Sequence, residues 1–119
     1  MIITSKGGGR PGMMPVGTHR AKIARIMPKQ DSPTVMLVFL GQDGDAKNTE
    51  CVDWVNLDTA EWRIRLIYEA ATGKTYPSEG SGWDTADILN AEVMVECEHR
   101  VNPNSGEDQA RAGKIFPVG

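Results

Sequence analysis

The sequence predicts a mainly β domain, in which five strands close into a small barrel and one main helix lies between the third and fourth strands. Three observations carry this. One stretch, residues 58–73, has the apolar spacing and both end signals of a long helix; five shorter stretches alternate or run apolar over strand lengths; and the first strand slips phase midway. A small sheet or barrel with the helix packed across it is the simplest arrangement that buries both.

Residues 1–15 read as a flexible basic arm, because positions 4–15 are too rich in Gly and Pro to hold regular structure. Gly7, Gly8 and Gly9 lie between Lys6 and Arg10 but lack the Gly-Lys-Ser/Thr ending of a phosphate loop. The barrel domain is expected to span residues 16–119. Its first strand, residues 16–27, points Ala21 and Ile23 one way and Arg20 and Lys22 the other. Ala24 and Ile26 then continue the apolar set one residue out of phase, as a bulge does, and barrel closure needs such bends. Arg20, Lys22 and Arg25 would then form a ladder of positive charge on an outer face.

Residues 28–33 form a turn, and residues 34–40 are apolar on both faces, which puts the second strand at the centre of the sheet. An Asp43-Gly44 turn leads to the third strand, residues 49–56, where Val52 and Trp54 alternate with Cys51, Asp53 and Val55. Asp43 and Asp45 lack the further ligands of a calcium loop. In the helix, Asp58 is placed to cap the first turn, Glu61 to complete a capping box, and Gly73 to stop the last turn. Trp62, Leu66, Ala70, Ile67 and Ala71 share one half of it and are expected to face the core, with Arg63 as the charged intruder. A polar loop with Tyr76 and Trp83 follows, then a short capped turn over residues 84–89. The fourth strand, residues 91–101, turns Val93, Val95 and Cys97 inward and Glu96, Glu98 and Arg100 outward. Residues 102–109 make a polar hairpin loop, and residues 111–118 the last strand, with Lys114 and Phe116 on one face.

A chain of 119 residues, 39% apolar and 24% charged, suits one soluble domain, and no apolar run approaches the roughly 20 residues that cross a bilayer. Residues 1–6 lack the apolar stretch of a secretory signal, and two distant cysteines make no disulfide framework, so a reducing cytoplasm is expected. The net charge of −3 is unevenly spread: residues 1–30 hold Lys6, Arg10, Arg20, Lys22, Arg25 and Lys29 and no acid. One face meeting an anion is the expectation.

Catalysis finds no nucleophile beside a base and no paired carboxylates. Cys51, Cys97, His19 and His99 lack the close spacing of metal ligands, so neither a metal nor a cofactor is expected. Single-strand binding needs only a positive groove and aromatic faces. The charge would come from Arg20, Lys22, Arg25 and Lys29, with Arg100, Arg111 and Lys114; the stacking would come from Trp54, Tyr76, Trp83 or Phe116.

A five-stranded Greek-key barrel with its helix between strands three and four is an OB-like fold, which commonly binds oligonucleotides. The chain also resembles a family of small phage-encoded single-stranded DNA-binding OB-fold proteins. The resemblance lies in Pro15-Val16-Gly17-Thr18-His19-Arg20-Ala21-Lys22-Ile23, in Met36-Leu37-Val38-Phe39, in residues 62–70 and in residues 90–99, and it covers about residues 15–118. His19 stands where the family often has Tyr, and residues 114–119 lack the acidic tail by which bacterial single-strand binders usually recruit partners, so recruitment by that route is not expected. The resemblance implies single-stranded DNA as partner, a role in phage replication or recombination, and the host cytoplasm as location, with a homo-oligomer left open. The alternative is a protein-interaction or phage assembly module built on the same barrel.

Overall fold

A computed structural model describes residues 12–78 and 80–118. Its strands are β1 (Gly12–Met13), β2 (Gly17–Pro28), β3 (Thr34–Gly41), β4 (Thr49–Asn56), β5 (Glu92–Val101) and β6 (Asp108–Pro117), with one α-helix, α1 (Glu61–Thr72). They form one sheet in the order β1-β4-β3-β2-β5-β6, and a further β4–β6 pairing joins five of the strands into a ring. The chain is thus mainly β.

Two features differ from expectation. There are six strands rather than five, and the helix follows the fourth, because Gly12 and Met13 pair in parallel with Thr49 and Glu50. The Gly- and Pro-rich surroundings of this two-residue strand hid it. Residues 1–11 of the expected flexible arm lie outside the described residues. Its last residues belong to the fold: Met14 is fully buried, its N–H donates to the Glu50 carbonyl at 2.9 Å, and its own carbonyl accepts from His99 Nε2 and the Cys97 thiol.

β2 is shared by two partners. Gly17 to Lys22 pair with β5 and Ala21 to Pro28 with β3, and the register slips between Ile23 and Arg25, where the phase change stands in the sequence. A second slip lies between Val95 and Cys97 in β5. These bulges bend the strands enough for the ring to close, yet β4 and β6 meet only at Val52 and Arg111. β1 runs beside the first two residues of that β4 edge. Gly41 ends β3 where no other residue fits, since an added Cβ would lie 1.9 Å from the Ala46 carbonyl oxygen.

Inside the ring lie Ala21, Ile23, Leu37, Phe39, Cys51, Val55, Val93, Val95, Cys97 and Ile115, joined by Ile64, Ile67 and Tyr68 of α1. The buried stripe of α1 is therefore turned by about 100° from the expected one. Trp62, expected in the core, is 64% exposed. Arg63, the expected intruder at the centre of the core face, instead lies at the edge of the buried stripe and points inward. Its Nε donates to Asp53 Oδ2 at 2.7 Å and its terminal nitrogen to the Gly113 carbonyl, so the charged side chain ties α1 to β4 and β6. Tyr68 adds a second constraint, packing against Tyr76 and Trp83 with ring centroids 5.5 and 5.0 Å away.

The helix start also differs. Asp58 does not cap it; Asn56 Oδ1 instead accepts the Asp58 and Thr59 N–H groups, and Ala60 is the N-cap with no side-chain bond. Asn56 closes the turn first, which delays the helix to Glu61. At the far end Gly73 is left-handed, with φ of 70°, and bonds back to the Glu69 carbonyl. The short turn at Thr85–Asp87 is capped, and its cap is Asp84. No helix among the described residues is long and apolar enough to cross a membrane.

Candidate nucleic-acid interface

Alternation in β4 decides which aromatic faces outward. Cys51, Asp53 and Val55 are buried, so Val52 and Trp54 stand on the outer face, and Trp54 is 41% exposed. Cross-strand register places its neighbours: Trp54 is opposite Met36, which is opposite Met27, while Val52 is opposite both Val38 and Arg111. Val38 is opposite Arg25 in turn. Met27, Met36, Trp54, Val52, Arg25 and Arg111 thus stand on the outer face of β2, β3, β4 and β6, around a Val38 that is itself covered.

A groove of about 280 Å³ lies beside these residues, lined by Lys29, Trp54, Asn102, Asn104, Gln109 and Arg111 with Pro103. Lys29 comes from the β2–β3 turn, where its N–H donates to the Thr34 carbonyl at 2.9 Å. Arg111 is brought in by the β4–β6 contact that closes the ring. Among the described residues neither cation has an acid partner, and Arg111 Nε has no hydrogen-bond partner. Glu98, directly opposite Arg111, bonds Arg100 instead.

The remaining residues read from sequence stand elsewhere. Arg20 lies 3.2 Å from Asp43 and 3.6 Å from Glu92, Arg25 lies 3.1 Å from Glu50, and Arg100 lies 2.7 Å from Glu98. The ladder of positive charge on β2 is accordingly compensated by acids. Lys22 is half-buried opposite Glu92 and Leu40. Phe116 is exposed and faces Met94, which in turn faces Arg20, so these two share a surface separate in register from the Trp54 row; Lys114 is exposed two residues before Phe116. Tyr76 is half-buried, accepts a hydrogen bond from Trp83 Nε1 at 3.0 Å, and carries the Arg65 guanidinium 5.3 Å above its ring. It pins the loop to α1.

The structure therefore gathers Lys29, Trp54 and Arg111, with Arg25 on the same outer face. Sequence reasoning missed Asn102, Asn104 and Gln109, three amides of the polar hairpin loop that line the groove where the β4–β6 pairing brings β6 beside β4. Their concentration in one short loop is the only sequence signal. The four candidate metal ligands do not gather as a metal site: both cysteines are buried, and His19 and His99 bond the carbonyls of Pro15 and Met14. Cys51 hydrogen-bonds Cys97, and that bond with burial pushes the Cys51 thiol far above its ordinary pKa.

No family model matches this sequence, and no curated protein matches it.

Proposed function

We propose that this chain is an OB-like barrel that binds single-stranded DNA without catalysis, at the groove of Lys29, Trp54 and Arg111. Three strand pairings of the ring, β2–β3, β3–β4 and β2–β5, with β5–β6 and the parallel β4–β6 contact, support the OB-like reading, as does the helix between β4 and β5. Setting β1 aside, OB folds bind along their second and third strands and the loops after the first and fourth strands. Those elements here are β3, β4, the turn holding Lys29 and the loop holding Asn102 and Asn104. The groove lies among them.

The observation that carries the reading is a half-exposed Trp54 between two cations without acid partners among the described residues. A base stacked on an aromatic ring contributes about 1–3 kcal/mol, and phosphate contacts add a salt-dependent term. Arg25 extends the path once phosphate displaces Glu50, an exchange at a pair whose Arg25 side is open to solvent. The likeness to phage-encoded binders supports a place in phage replication or recombination.

The test is fluorescence anisotropy of a labelled mixed-sequence strand of about 30 nucleotides, with its duplex alongside. Single-strand binding that exceeds duplex binding and weakens with salt supports the reading. Binding to neither form overturns it and favours the interaction-module alternative.

A further inference from the structure

We infer that the outer face of α1 is a two-fold interface between copies of this chain. Trp62 is 64% exposed at the centre of that face, the most exposed aromatic among the described residues, and Leu66 one turn on is 37% exposed. On one flank the apolar surface continues into a groove of about 300 Å³ between α1 and β6, floored by Ala70, Ile115 and Pro117. Toward the other flank stand Glu61 and Arg65, opposite in charge and one turn apart; Arg65 also borders the groove and lies 5.3 Å over the Tyr76 ring. Neither forms an ion pair among the described residues. Glu69, the next acid, is occupied by the Tyr76 N–H at 2.9 Å.

Charge order selects the occupant. In an antiparallel helix pair, like flanks meet, and residues equally far from the two-fold axis face each other. With the axis at the level of Arg63, Glu61 of each copy meets Arg65 of the other. The two Trp62 rings then lie on either side of the axis, and the two α1–β6 grooves face one another. One surface supplies both halves of the contact, with the aromatic anchor at its centre and charges at its rim, as stable interfaces require.

Sedimentation equilibrium of the full chain over a wide concentration range tests this. The mass is expected to rise from one chain to two, and Trp62→Glu to weaken association by at least about 30-fold. Because Trp62 touches solvent, unchanged circular dichroism should show that this variant still folds. Arg65→Glu alone should weaken association, and Glu61→Arg combined with Arg65→Glu should restore it. A single-chain mass at every concentration overturns the interface, as does a Trp62→Glu variant that associates like the parent. Failure of the double charge swap to restore association overturns the two-fold arrangement.

Discussion

Arg63 and Asp53 show how one pair can set the orientation of a whole element. Their side chains are only 13% and 10% exposed, so Asp53 is held by Arg63, and Arg63 by Asp53 and the Gly113 carbonyl, rather than by water. Replacing Arg63 with Ala leaves Asp53 buried and unpaired, and should cost about 3–5 kcal/mol in urea unfolding. A loss under about 1 kcal/mol would mean that the pair is in effect solvated. The thiols give a second residue-scale prediction. Cys51 and Cys97 are each 1% exposed, and the Cys51 thiol is held protonated by its bond to Cys97 and by burial. A thiol-specific disulfide reagent at neutral pH should therefore label neither cysteine in the native chain and both after denaturation. Rapid native labelling would contradict that burial.

At the level of elements, Gly73 ends α1 with φ of 70°, and an added Cβ there meets nothing within 4 Å. Gly73→Ala should therefore cost only backbone strain, about 1 kcal/mol, read as a lowered unfolding midpoint. The end of α1 was legible because only glycine takes that conformation freely. So were β3, β4 and the inward Val93, Val95 and Cys97 of β5, since alternation is a local signal. The bulge in β2 was legible for the same reason. The buried face of α1 was not: periodicity centred it on Arg63, whereas the observed stripe centres near Ile64 and leaves Arg63 at its edge, where Asp53 and Gly113 hold it. β1 was hidden because its pairing depends on an edge of β4 that is far off in sequence. Within the candidate site, alternation in β4 turns Trp54 outward. Its company is a different matter, since Lys29 and Arg111 meet it only through ring closure.

For the molecule as a whole, the basic excess of the first 30 residues did not translate into one positive face. Arg20 and Arg25 are answered by Asp43, Glu92 and Glu50, and the cations left without acid partners that converge are Lys29 and Arg111. Charge counting along the chain could not separate these two groups, because the answering acids come from other strands and turns. Binding through so few phosphate contacts should give a shallow salt dependence, a slope of about −0.7 per contact on a double-logarithmic plot. A slope of about −5 or steeper would point to a wider surface.

The central claim is that the Lys29, Trp54 and Arg111 groove holds single-stranded DNA, and a comparison of three variants by anisotropy tests it most directly. Trp54→Ala and Arg111→Glu should each weaken binding by about tenfold or more, while Arg20→Glu, on the compensated side of β2, should change it by less than about threefold. Unchanged affinity in Trp54→Ala and Arg111→Glu, with a large loss in Arg20→Glu, would contradict the groove and move the binding surface to β2 and β5.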